Sequence, residues 1–287
     1  MKSEAFLKEV LNSDCCPADF ESIYKKFQGY QQAAIDTLNE FHRVCEKNSI
    51  RYQLAYGSLL GAIRDNGQIP WDYDIDVFVP FCDKDTLIES LKRDLDEKFY
   101  FYCPENDPKC RHFFIRLAPK GYRTEALHVD VFYLMGVPDD EEKRIALCRA
   151  VKFNFNSRFV KLVNIAEESM KRPKRIARML LDRVKLLHIP LKKINEEFYS
   201  SCEEYPMDNY DHCATVDIEC GKFIFNTDKL WNTTLLKTDT GEFRITQNYE
   251  EVLTQIYGDY KKIYPIEGRV NEVMRSYKRL EYFHKKK

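Results

Sequence analysis

The segment Asp74-Ile-Asp-Val-Phe-Val79 constrains this chain more than any other. Its apolar residues mark a β-strand, in which successive side chains point to opposite faces. Ile75, Val77 and Val79 then share one face, and Asp74, Asp76 and Phe78 the other. Two carboxylates side by side on an otherwise apolar strand repel each other and lose hydration on burial. A divalent cation removes that conflict. Hard cations such as Mg²⁺ prefer oxygen ligands and often bridge carboxylates to substrate phosphates. An isolated D-x-D is usually a solvated surface feature, so the weight falls on what surrounds this one.

Three neighbours supply that weight. His128-Val-Asp-Val-Phe-Tyr-Leu134 is a second apolar strand with Asp130 as its only carboxylate. If the two strands adjoin, Asp74, Asp76 and Asp130 form a three-carboxylate metal site. Upstream, Gly57-Ser58 precede a short helical turn over Leu59–Arg64. Glycine lets backbone come close to a phosphate, and N–H groups at a helix start favour anions. Arg64 adds a planar guanidinium suited to clamping phosphate oxygens. Arg116, in Phe113-Phe-Ile-Arg-Leu117, reads first as a structural arginine and second as a phosphate ligand.

The rest of the chain frames this centre. With 287 residues, 44% hydrophobic and 32% charged, it suits a packed globular protein rather than disorder. A net charge of −1 argues against a general nucleic-acid binder. A helix is expected over 20–48 and another over Asp83–Glu97. Strands are expected over Arg51–Tyr56, Asp74–Val79, Phe99–Cys103, His112–Leu117 and Leu127–Leu134. This alternation gives an α/β catalytic core over 1–135. A helical, basic insertion follows at 136–210. The last unit, 211–287, holds strands over Cys220–Asn226 and Leu235–Ile245 (with a Thr240-Gly241 turn) and a helix over Asn248–Tyr260, packing back on the core.

The N-terminus has no apolar leader segment and no run is long enough to span a membrane, so the ten cysteines are read in a reducing, cytoplasmic setting. Cys103 and Cys110 with His112, or Cys213 with Cys220, could be zinc ligands; ordinary thiols are the plainer reading.

At this point the motifs resemble the nucleotidyltransferase fold, and more closely the LicD family of phosphotransferases, relatives of phosphocholine transferase and the fukutin-type enzymes. The resemblance rests on Gly57-Ser-Leu-Leu-Gly-Ala-Ile-Arg64, Ile69-Pro-Trp-Asp72, Asp74-Ile-Asp76, Val129-Asp-Val-Phe132 and the closing Asn248-Tyr-Glu-Glu-Val-Leu…Tyr257-Gly-Asp-Tyr260. It departs at one position: the family usually shows W-D-D-D-I-D, and Tyr73 stands here in place of the middle acid. By strand alternation Tyr73 faces away from the acids. The resemblance implies a mixed-sheet nucleotidyltransferase-like core with a helical insertion and C-terminal helices. It implies transfer of a phospho-alcohol, phosphocholine above all, from a CDP-linked donor such as CDP-choline to a sugar hydroxyl of a cell-surface glycan such as lipopolysaccharide or teichoic acid, with release of CMP. Asp74, Asp76 and Asp130 would hold Mg²⁺ or Mn²⁺, and Asp130 would draw the proton from the acceptor. Gly57, Ser58, Arg64, Trp71, Asp72 and Arg116 would contact substrate, Trp71 through a cation–π contact with a choline head or by packing alone. A nucleotidyltransferase using an NTP and a catalytically silent nucleotide-binding module are the alternatives.

One segment stands outside these motifs. Residues 171–193 carry nine Lys and Arg against one Asp, with Ile176, Met179, Leu180, Val184 and Leu187 at helical spacing. Such a helix can be a solvated basic face, or can lie on an anionic membrane. The second reading suits a lipid-linked glycan acceptor and places the enzyme at the inner face of the membrane.

Overall fold

The computed structural model describes residues 2–168 and 172–284. Two helices open the chain, α1 (Lys2–Leu11) and α2 (Phe20–Lys47). Tyr24, Phe27, Ala34, Leu38, Phe41 and Cys45 recur at helical spacing along α2 and are all buried, which turns that stripe onto the sheet. The sheet is built from β1 (Gln53–Leu54), β2 (Ile75–Pro80), β3 (Phe99–Tyr102), β4 (Ile115–Pro119), β5 (Val129–Val137), β6 (His212–Thr215) and β7 (Phe225–Asn226). Its order is β1-β2-β5-β4-β3, with β6 also on β5 and β7 on β6. Only β2 and β5 run parallel; the other pairs are antiparallel. The nine residues of β5 carry β2 along one edge, while β4 pairs with its first half and β6 with its last. Covered on both faces, these central strands read as continuous apolar runs.

Between β1 and β2 lies α3 (Tyr56–Leu60), which widens into a π-type turn over Gly61–Asp65. Left-handed Asn66 closes that turn. A side chain at Gly61 would meet the Gly67 carbonyl at 2.5 Å, so this crossing requires glycine. Next, α4 (Lys84–Asp94) packs against α2, burying Leu87, Ile88 and Leu91. After β5 the chain turns helical through α5 (Glu141–Leu162), α6 (Ile165–Glu168), α7 (Pro173–Lys185) and α8 (Leu191–Glu203). Asp140 starts α5 by accepting the Lys143 N–H at 2.9 Å. Phe113, just before β4, stacks on Phe198 of α8 at 3.6 Å, tying this layer to the core. The C-terminal part adds α9 (Thr227–Trp231), a hairpin of β8 (Thr233–Thr238) and β9 (Gly241–Thr246), α10 (Tyr249–Tyr257) and α11 (Ile266–His284).

The protein is thus mixed α/β, as expected. Several local expectations need correction. The strand foreseen over Arg51–Tyr56 pairs only at Gln53–Leu54, because Tyr56 takes a positive φ of 41° and turns the chain into α3. The strand foreseen over Cys220–Asn226 shrinks to Phe225–Asn226, since Asp217 accepts the Glu219 N–H at 2.7 Å and folds the preceding segment into a turn. Helices α1 and α11 and strand β6 went unforeseen. Neither zinc reading gains support: among the described residues no three His, Cys, Asp or Glu gather as metal ligands. The Cys110 thiol donates to the His112 carbonyl at 3.4 Å, and the Cys220 thiol is hydrogen-bonded to Cys148.

Candidate active site

Register decides how the acids meet. Asp76 on β2 is the direct partner of Asp130 on parallel β5, and Asp130 is the direct partner of Arg116 on antiparallel β4. Directly paired residues share a face, so Asp76, Asp130 and Arg116 form one row across three strands. Asp74 lies one residue before β2, at the solvent-accessible mouth of the row. The backbone under these carboxylates is fixed. The Asp76 N–H donates to the Ser58 hydroxyl at 2.8 Å, and the Ala55 N–H donates to the Asp76 carbonyl at 3.0 Å. Asp72 folds the approach to β2 by accepting the N–H groups of Tyr73 at 2.8 Å and Asp74 at 3.2 Å. From α2, the Gln31 amide donates to the Asp72 carbonyl at 2.6 Å and the Tyr24 hydroxyl to the Pro70 carbonyl at 3.0 Å.

The charges in the row differ sharply. The Asp76 side chain accepts no hydrogen bond among the described residues, and its oxygens lie recessed but reachable. Burial, then the charges of Asp130, Asp74 and Asp72, push its pKa well above the usual carboxylate range. Burial and Asp72 raise Asp74 to about 6, with Asp130 adding and His128 and Arg279 opposing. Asp130 goes the other way. Burial alone would raise it, but Arg116 and His128 outweigh that and hold it below the usual range. Arg116 Nε reaches Asp130 Oδ1 at 2.9 Å and Nη2 reaches Oδ2 at 3.4 Å, while His128 Nε2 lies 3.3 Å from Oδ1.

This donor set suits a hard cation, because among the described residues Asp76 accepts no hydrogen bond and Asp74 is met by the Tyr73 hydroxyl without a cationic partner bonded to it, and a cation would relieve their repulsion. It does not suit the expected trio as drawn. Asp130 is engaged by a guanidinium and an imidazole, and among the described residues no three metal-ligating groups converge. The open pair is Asp74 and Asp76.

The other expected residues fall into two groups. Ser58 and Asp72 meet the acids as described. Gly57 lies beside Asp72, whose Oδ2 would be 3.4 Å from an added Cβ. Arg64 and Trp71 are otherwise employed. Both Nε and Nη2 of Arg64 donate to Asp65 Oδ2, at 2.9 and 2.8 Å, so it is no free phosphate clamp. The Trp71 ring is buried against Phe6, with Arg64 and Arg269 over it at 5.5 and 5.1 Å. It packs under the loop and leaves no room for a choline head. Arg116 is the buried partner of Asp130, the structural role weighed first. Tyr73 packs edge-on against Phe27, yet the charge of Asp74 reaches its hydroxyl. Its full turn away from the acids was therefore an overstatement.

Sequence reading missed His128, Tyr257 and Arg279. Burial first, then the charges of Asp76 and Asp72, raise the Tyr257 phenol, so this residue of the closing segment stands within electrostatic reach of the acids. Arg279 of α11 lowers the pKa of Asp74, and its buried Nε has no hydrogen-bond partner among the described residues. Arg275 and Arg279 are spaced i, i+4 as on one helix face, but nothing local says which strands that helix crosses. Two hollows flank the acids. A narrow one of about 30 Å³ is lined by Gly57, Ser58, Asp72 and Asp74 with Thr238 and Thr240 of the hairpin. A larger one of about 480 Å³ opens on Asp76 and has aromatic walls.

Residues 49–171 match the profile described as the LicD/FKTN/FKRP nucleotidyltransferase domain. That span contains every acid of the row. The chain is also similar to the lipopolysaccharide cholinephosphotransferase LicD of Haemophilus influenzae, at 27% identity over 254 residues, covering 83% of this chain and 92% of that protein.

Proposed function

We propose that this chain, which is similar to the LicD/FKTN/FKRP domain over residues 49–171 and to a lipopolysaccharide cholinephosphotransferase, transfers a phospho-alcohol, phosphocholine first, from a CDP-linked donor to a sugar hydroxyl of a cell-surface glycan, releasing CMP. The observation that carries this reading is the register match of Asp76 with Asp130 beside Asp74, which gathers negative charge that a bound cation can balance at Asp74 and Asp76. Asp74 and Asp76 would hold Mg²⁺ or Mn²⁺, which when bound neutralises charge on a diphosphate and on the departing CMP oxygen.

The chain's own groups do the rest. Ser58 and Ala55 hold Asp76 so that its carboxylate does not move during turnover. Arg279 brings a positive charge next to Asp74, where a phosphate oxygen can receive a hydrogen bond. Asp130 acts as a fixed anion that orients Arg116 and His128; its engaged oxygens make it a poor proton acceptor.

The proposal extends to the membrane. Helix α7 and the turn that follows it expose Leu180, Leu181, Val184 and Leu187, the last 73% exposed. Lys174 and Arg178 of the same helix have no carboxylate partner among the described residues. Met179 and Ile176 anchor the helix inward on Val163 and Ile165. An apolar ridge with basic flanks fits the inner, anionic face of a membrane and would bring a lipid-linked acceptor to the site. Lys171 of this segment lies outside the described residues. No helix among the described residues is long and apolar enough to cross a membrane. Flotation with phosphatidylserine vesicles should be lost in Leu181→Glu/Leu187→Glu; undiminished flotation refutes the contact.

Donor profiling tests the chemistry. Purified chain with Mg²⁺ and a glycan acceptor should release CMP from CDP-choline and not pyrophosphate from ATP or CTP. Pyrophosphate release without CMP would make it a nucleotidyltransferase, and no product from any donor would make it a silent binding module.

A further inference from the structure

The cavity of about 480 Å³ that opens on Asp76 has a composition the phosphate chemistry does not require. Its size is that of a small-ligand pocket, roughly 300–1,000 Å³. Four phenylalanines make most of its wall. Phe114 before β4 and Phe132 on β5 have ring centroids 4.8 Å apart, and Phe155 of α5 stacks near Phe114 at 5.9 Å. One turn on, Phe159 is half-buried and also lines the space. Tyr56 closes one side, 5.8 Å edge-on from Phe132. It is held there by a backbone φ of 41°, a conformation non-glycine residues adopt at a cost. Local propensity does not favour that geometry, so the aromatic wall depends on tertiary packing to keep it.

The polar groups in this wall are acidic. Besides Asp76, they are Asp217 and Glu219 of the turn after β6. Lys222 pairs with Glu219 at 2.7 Å. Asp217 takes the Thr215 hydroxyl at 3.1 Å and the Glu219 N–H at 2.7 Å, both on Oδ1, which leaves Oδ2 uncommitted. No lysine or arginine lines the space. Two of the rings already attract cations elsewhere on their surfaces, Arg111 over Phe159 at 5.4 Å and Arg116 over Phe114 at 5.6 Å. The one imidazole here, His112, stacks on Phe114 at 4.7 Å, and burial with nearby Arg116 keeps it neutral.

We infer that this cavity binds the quaternary-ammonium head of the transferred alcohol, with the ring faces of Phe132 and Phe159 around its methyl groups and Asp217 as its counter-ion. The inference rests on the phosphotransfer reading for the identity of the ligand, and on the cavity alone for its charge class. A polyol head such as glycerol or ribitol would bury hydroxyls against phenylalanine faces with few partners. A quaternary ammonium has no N–H to satisfy, gains from ring faces and carboxylate together, and relieves the repulsion between Asp76 and Asp217. The position explains the division of labour in the site. Asp76 lines the aromatic cavity and Asp74, two residues before it, lines the narrow hollow, so an alcohol head in the aromatic cavity leaves its phosphate at the acid row.

The test needs no turnover at its first stage. Choline and its uncharged carbon isostere, 3,3-dimethylbutan-1-ol, are titrated into the full chain, with saturation transfer from aromatic protons to methyl groups as readout. Choline should bind at least about tenfold more tightly than the isostere. Equal binding, or no transfer to choline, overturns the proposal. Phe132→Leu, Phe159→Leu and Asp217→Asn should each weaken choline transfer; undiminished signals in all three also overturn it. At the second stage, Phe132→Leu should lower kcat/KM for CDP-choline relative to CDP-glycerol by about tenfold. Failure of CMP release from every donor would refute the phosphotransfer reading while leaving the first-stage result to stand alone.

Discussion

The acid ends of β2 and β5 are neighbours in register and opposites in electrostatics. Asp76 and Asp130 sit across from one another on parallel strands. The Asp76 side chain has no protein donor among the described residues, and its pKa is driven up. Asp130 has Arg116 across the next strand and His128 two residues before it, and its pKa is driven down. Sheet register places two carboxylates in one row. The third strand then decides which of them is spent on structure and which is left for a ligand.

The strongest break of this contrast is Asp130→Asn, which leaves the Arg116 guanidinium buried without its anion. A loss of about 3–5 kcal/mol is expected in urea unfolding. The double variant Asp130→Asn/Arg116→Met should recover much of it, and no recovery would mean the pair is not the cause.

Asp76→Asn probes the other side. It removes a strained charge, so the metal-free protein should melt higher, while transfer falls about 10²–10³-fold in kcat. A lower melting temperature would show that Asp76 is structurally satisfied after all. A milder change is Ser58→Ala, which takes the acceptor from the Asp76 N–H and should cost about 1 kcal/mol in unfolding, with the fold kept.

The smallest effect sharpens the contrast through pH. The pKa of Asp74 is raised to about 6, so the folded state favours its protonated form. The stability it contributes is present below its ordinary value and is lost as pH rises through about 6. A divalent cation should reverse that loss only where Asp74 is ionised. The melting shift caused by Mg²⁺ should therefore be small at pH 5 and grow by pH 7.5. A shift independent of pH would detach the metal from Asp74.

The acids were legible before any coordinates because chemistry in a strand is written with period two: carboxylates at 74 and 76 and again at 130, each amid Ile, Val and Phe, have no apolar explanation. The hairpin over 233–246 was legible from its Thr240-Gly241 turn, and α2 from its spaced apolar residues. Arg64 and Trp71 misled because sequence shows which groups could bind a phosphate or a choline and not what has already claimed them. Here Asp65, Phe6 and Arg269 had. Helix α11 lacked a signal because its buried stripe is thin: Val270, Val273, Leu280 and Phe283 among many charges.

By itself, then, the sequence determined the local periodicities, hence the element types, the inward face of each strand and the residue kinds able to meet a cation. It could not determine neighbours, because strand order is a long-range choice that no window of ten residues contains. The tertiary structure chose β4 and not β1 to flank β5, so Arg116 neutralises Asp130, while no cationic group pairs with Asp76 among the described residues. It also brought α5, α3 and the turn after β6, far apart in the chain, around a single aromatic space.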